Sequence, residues 1–125
     1  MLSSAKIFLF LGAVNAMVSV LLGAFGAHGL KSKLSAQAMS TFQTGVEYHF
    51  YHSLGLLIVG ILISQLPGMG IKVTGWLMFA GIILFSGSLY LLALTGVRQL
   101  GMVTPVGGLC FIFAWGLLAY TIFSQ

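Results

Sequence analysis

Side chains able to do acid–base or ligand chemistry are few enough in this sequence to be taken one at a time. There is a single acid, Glu47, against five cations: Lys6, Lys31, Lys33, Lys72 and Arg98. Histidines stand at 28, 49 and 52, and one cysteine, Cys110, lies in an apolar run. Cys110 has no partner for an intramolecular disulfide and belongs to no redox or metal motif. His28 and His52 fall on different segments, and no Cys or carboxylate cluster joins them, so no metal, haem or other cofactor is expected. No nucleophile stands in a recognisable arrangement with a base, so no catalytic residue is expected and the chain reads as no enzyme. What remains is a polar cluster around Glu47. At 100° per residue Gln43, Glu47 and Tyr51 share one side of a helix, with Thr44, Tyr48 and His52 beside them. Val46, His49 and Phe50 point away. Glu47 and His52 are therefore expected to face other helices, and His49 to face headgroups or another subunit. Arg98, or else Lys31 or Lys33, is the expected ion-pair partner of Glu47.

The elements that must position these groups follow from composition. Of 125 residues, 59% are hydrophobic and only 5% charged, with mean hydropathy +1.12. A soluble domain is about 25% charged. The deficit excludes an ordinary water-soluble enzyme, a disordered chain and a nucleic-acid-binding one. The net charge of +4 comes from scattered cations that form no basic patch. The pattern is that of a single integral membrane domain, residues 1–125, with membrane lipid as its surroundings.

A spanning helix needs about 20 mostly apolar residues. Four such stretches are expected, at about 7–27, 46–66, 73–95 and 102–123. The first exceeds the apolar core of a signal peptide and is expected to be a retained span. Short links between them, marked by Lys31 to Ser35, Pro67 to Gly70 and Gly96 to Gln99, make consecutive spans antiparallel. The expected fold is an all-α membrane protein, an up-down bundle of four transmembrane helices. An open sheet would leave backbone groups unsatisfied in lipid, and the alternating pattern of a barrel is missing. Residues 34–44 read as a short amphipathic interfacial helix that runs on into the second span, with Gly45 as the expected bend. The cations outside the membrane divide two against three between its faces, too even to orient the chain.

Seventeen glycines are about twice the ordinary share. Gly12 and Ala16, and Ser19, Gly23 and Ala27, recur at four-residue spacing along the first span and are expected to let backbones approach. Trp76 and Tyr120 fit the aromatic belts, whereas Trp115 reads as core. Thr104-Pro105 reads as a cap followed by a first-turn proline.

Four sequence words occur in order: Leu22 to Gly29 (LGAFGAHG), Gln43 to His52 (QTGVEYHFYH), Phe85 to Tyr90 (FSGSLY) and Thr104 to Gly108 (TPVGG). Together they resemble the YgdD or YwdK type of small bacterial membrane protein, a family of uncharacterised function with eukaryotic relatives. The resemblance covers nearly the whole chain. It implies four transmembrane helices in the bacterial plasma membrane and assigns no catalytic residue. Relatives usually carry glutamine where this chain has His49, which implies polar contact there rather than obligatory proton transfer. Relatives often end in a basic tail, which favours cytoplasmic termini; this chain lacks that tail, and both its termini are still expected on the cytoplasmic side.

In an up-down bundle one membrane face collects His28, Lys31, Lys33, Gln43, Glu47, Tyr48, His52, Arg98, Gln99 and Thr104. The opposite face receives only Lys6, Gln65, Lys72 and the chain end. The candidate binding site is therefore His28, Gln43, Glu47, Tyr48, His52 and Arg98. Three roles are open to it: a structural ion pair fixing helix register, a pocket for a lipid headgroup or protein partner, or a proton-linked carrier built from a homo-oligomer.

Overall fold

The computed structural model describes residues 3–125, which are helical almost throughout and include no strand. Helix α1 (Ser4–Leu30) starts where the Ser3 hydroxyl accepts from the Lys6 backbone N–H at 3.1 Å. Helix α2 (Ala36–Leu62) starts with the same device, Ser35 accepting from the Ala38 N–H at 3.1 Å. Helix α3 (Gly70–Thr95) ends at Gly96, whose φ of 73° is the left-handed conformation that glycine adopts without strain. A 3-10 segment, Arg98–Met102, leads into helix α4 (Thr104–Phe123). Helices α1 and α3, and α4 together with its lead-in, are long and apolar enough to cross a membrane. Helix α2 is as long, but Glu47, His49 and His52 lie within it.

Glycines set the register of packing. A Cβ on Gly12 would lie 2.9 Å from the Leu57 nitrogen and the Ser53 oxygen, and one on Gly60 would lie 2.7 Å from Leu9 Cγ. Helices α1 and α2 therefore run antiparallel with backbones in close approach. Gly45 against Tyr90 and Gly55 against Met78 make α2 and α3 antiparallel, and Gly70 against Thr121 does the same for α3 and α4. Toward one end of the helices Phe8, Leu56, Val59, Ile71, Met78, Ile82, Phe111, Ala114 and Leu118 form the apolar core.

The interfacial segment does run on into the second span: α2 is one helix from Ala36, and Gly45 lies inside it under the Tyr90 ring. Gly45 there allows the close approach of Tyr90 and Leu89. Several expectations are corrected. Thr104 is no cap, because it is already the first residue of α4; its hydroxyl meets Ser88 Oγ at 2.6 Å. Trp115 is 39% exposed rather than core. Two π-turns, Leu22–Gly26 in α1 and Ile82–Ser86 in α3, had no signature in the sequence. The second brings Ser86 to α2, where its hydroxyl donates to the Gly45 carbonyl at 2.7 Å.

Candidate functional site

The inward face of α2 is Phe42, Gly45, His49, His52, Ser53, Leu56, Val59 and Gly60, all buried. Helix phase is thus rotated from the expected one. His49, expected outside, is 4% exposed, whereas Gln43, Glu47 and Tyr51 all point outward. The expectation turned the only acid inward. The small and apolar residues at three- and four-residue spacing decide otherwise, since they alone let α1 and α3 approach.

His49 is the centre of a three-helix contact. Its Nε2 lies 2.9 Å from Asn15 Oδ1 on α1, and its Nδ1 lies 2.8 Å from the Tyr90 hydroxyl on α3. The Asn15 amide nitrogen donates to the Leu11 carbonyl at 2.8 Å, which leaves Oδ1 as the acceptor toward His49. His49 therefore carries its proton on Nε2, and its Nδ1 accepts from the Tyr90 O–H.

His52 holds the opposite tautomer. Its Nδ1 donates to the Tyr48 carbonyl at 2.8 Å, and its Nε2 accepts from the Trp115 indole N–H at 2.9 Å. The ring stacks on Phe111 with centroids 3.5 Å apart and planes 6° apart. Trp115 can only donate, so both ring nitrogens of His52 are occupied.

These bonds join the four helices: Asn15 to His49 (α1–α2), His49 to Tyr90 and Ser86 to Gly45 (α2–α3), His52 to Trp115 (α2–α4), and Ser88 to Thr104 (α3–α4). Lipid provides no hydrophobic drive between helices, so such bonds and close small-residue packing do that work. Among the described residues no buried side-chain nitrogen or oxygen lacks a partner. The polar interior is closed on itself and has no group to spare for a ligand. Among the described residues no three His, Cys, Asp or Glu side chains gather as a metal site requires.

Of the six expected site residues only His52 is buried; His28, Gln43, Glu47, Tyr48 and Arg98 are exposed. The structure divides them among three grooves. Arg98 lines one of about 370 Å³ with Ser35, Gln37, Ala38, Thr41, Leu92, Ala93 and Gly96. Glu47 lines another, about 480 Å³, with Ser19, Val20, Gly23, Ala24, Val46, Phe50 and Tyr51. Tyr48 and His52 line a third, about 420 Å³, with Phe85, Gly108, Phe111, Ile112 and Trp115. Glu47 and Arg98 are thus not brought together, and among the described residues Glu47 forms no ion pair. His28 and Gln43 line none of these grooves.

Asn15, Tyr90 and Trp115 were missed as partners of the histidines. Asn15 carried a signal, as the only carboxamide within the first apolar stretch. A carboxamide in lipid needs a partner on a neighbouring helix. Tyr90, like Ser86 and Ser88, was legible as a mid-membrane polar group able to bond a neighbouring helix, though not as the partner of His49. Trp115 carried no signal, because nothing in its spacing separates a hydrogen-bonding ring from a packing one.

Residues 22–108 match the model of a family described as a protein of unknown function (DUF423). The UPF0382 membrane protein YwdK of Bacillus subtilis is 53% identical over 111 residues, covering 88% of this chain and 90% of that protein. The UPF0382 membrane protein SSP2132 of Staphylococcus saprophyticus is 51% identical over 119 residues, 95% of this chain and 98% of that one. No solved structure matches. With matches running almost end to end at half identity, the chain belongs to this DUF423 or UPF0382 family of membrane proteins, the YwdK type that its sequence words resemble.

Proposed function

We propose that the protein is a non-enzymatic component of the bacterial plasma membrane that crosses it four times and holds the phosphate of an anionic phospholipid in the Arg98 groove. Helix α2 is counted as the fourth span because its 27 residues run antiparallel to α1 and its histidines are satisfied inward. Both termini then lie on one face, for which we retain the cytoplasmic side.

The observation that carries the lipid reading is the make-up of the Arg98 groove. Arg98 and Gln37 form no side-chain hydrogen bond among the described residues, so both are available to an anion. Leu92 and Ala93 supply an apolar wall beside them. The first turn of α2, where Ser35 takes the Ala38 N–H but the Ala36 and Gln37 N–H groups have no partner among the described residues, forms the opposite wall at the positive end of the helix dipole. Lys31 and Lys33 are exposed in the link that leads to Ser35. A guanidinium fork grips a phosphate through paired hydrogen bonds, and an apolar wall suits the start of an acyl chain.

The test is thermal unfolding in detergent with added phosphatidylglycerol, phosphatidylcholine or inorganic phosphate. Phosphatidylglycerol at a hundred times its dissociation constant should stabilise the protein by about 2.7 kcal/mol. Phosphatidylcholine and inorganic phosphate should do little, and Arg98→Gln should remove the response. Equal responses in wild type and Arg98→Gln would sink the proposal.

A further inference from the structure

The groove that holds Glu47 has a different chemistry from the Arg98 groove and lies on another face of the protein. We propose that it is a binding site for a lipophilic organic cation. Its walls come from α1 at the π-turn and from α2: Val20, Gly23 and Ala24 on one side, Val46, Phe50 and Tyr51 on the other. At about 480 Å³ it falls within the range of small-molecule sites. Gly23 packs against Val46, since a Cβ there would lie 2.9 Å from Val46 Cγ1. The floor is therefore closed, and the groove opens sideways.

Position matters as much as lining. Gly23 is seven residues before the end of α1 at Leu30, about 10 Å along the axis at 1.5 Å per residue. Helix α1 is apolar enough to lie in lipid, so the groove opens on the flank of a membrane helix. An acid in such a place calls for a positive partner. Glu47 finds none among the described residues, and the chain has no other acid. What fits is a ligand that brings both a positive charge and an apolar body. Charge meets the carboxylate, while Phe50 and Tyr51 offer π-faces, which attract cations more strongly where water is thin. A hydrated inorganic cation has no use for the apolar walls, and a neutral lipid chain leaves the carboxylate unanswered.

The probes are tetraphenylphosphonium and its anionic isostere tetraphenylborate, added to the purified full-length protein in uncharged detergent and followed by equilibrium dialysis. Tetraphenylphosphonium should bind saturably, about once per chain. Glu47→Gln should weaken it by about tenfold or more, and Tyr51→Leu by a few-fold. Glu47→Asp, which keeps the charge, should retain measurable binding. The Glu47 side chain is exposed and holds up no interior contact, so the Glu47 variants should melt as wild type does. Arg98→Gln should bind the cation normally, which separates this site from the phosphate groove. Absence of saturable binding, equal affinity in wild type and Glu47→Gln, or equal saturable binding of tetraphenylborate would each overturn the assignment.

Discussion

Replacing Gly107 by alanine should destabilise the protein more than replacing any other glycine of α3 or α4. The added methyl group would fall on the backbone of α3, against the Phe85 nitrogen, 2.7 Å from Phe85 Cα and 2.8 Å from the Leu84 carbonyl carbon. Those atoms belong to the π-turn Ile82–Ser86, which carries the α3 backbone against α4. Side chains can swing away from an intruding methyl group; a backbone held on both sides by helix cannot. Gly81 makes the comparison. Its Cβ would meet mainly the ring of Phe111, a side chain rather than backbone. Overpacking of this kind costs about 1–3 kcal/mol, and Gly107→Ala should lie at the upper end. Gly87 and Gly116 are the controls, since a Cβ at either meets nothing within 4 Å. There alanine should be neutral or stabilise by about 0.5–1 kcal/mol through helix propensity. Unfolding in mixed micelles measures all four. A Gly107→Ala protein as stable as Gly87→Ala would mean that α3 and α4 do not touch here through their backbones.

That contact also shows where the sequence stopped being readable. Helices α1, α3 and α4 lie within a few residues of the apolar runs, which Pro67-Gly68 and Gly96-Val97 break, whereas α2 begins ten residues before its run by taking in the interfacial segment. Rotation about the helix axis was harder. On α2 two rules conflict. An acid in a span should face inward, yet Phe42, Gly45, His49, Leu56 and Val59 already form an inward stripe. The stripe prevails because Gly45 must accept the Tyr90 ring and Gly12 must accept the α2 backbone, whereas Glu47 fills no such contact and is left on the outer side. The glycines were read only as permission for close approach. Read as a phase signal, Gly45, Ser53 and Gly60 would have pointed to the buried side. The π-turns were beyond reach for another reason. A π-turn inserts one residue where the tertiary contacts of two faces fall out of register, and single-segment periodicity does not contain that information.

Replacing His49 by leucine should be the most damaging change in the polar interior, and replacing it by glutamine among the mildest. Leucine removes one donor and one acceptor at once. It leaves Asn15 Oδ1 and the Tyr90 hydroxyl, on two different helices, without the partners that lie at 2.9 Å and 2.8 Å. Each stranded group costs about 1–3 kcal/mol when buried. The bonds themselves are worth less, about 0.6 kcal/mol on average for a side-chain bond between membrane helices, because the unfolded chain in the membrane finds other partners. The stranded groups therefore dominate. A glutamine can offer its N–H to Asn15 and its carbonyl oxygen to Tyr90, so it keeps both bonds with a shorter, less rigid group. The order of stability should be wild type, then His49→Gln, then His49→Leu, with the two variants separated by about 2–6 kcal/mol for the two stranded groups. Tyr90→Phe gives the internal check. In wild type it strands His49 Nδ1, but in His49→Leu it removes a hydroxyl that is already stranded. The double variant His49→Leu/Tyr90→Phe should therefore be no less stable than His49→Leu alone, and a double-mutant cycle should show coupling of about 0.5–3 kcal/mol. Strict additivity of the two changes would mean that His49 and Tyr90 do not share a hydrogen bond, and that something other than this contact ties α2 to α3.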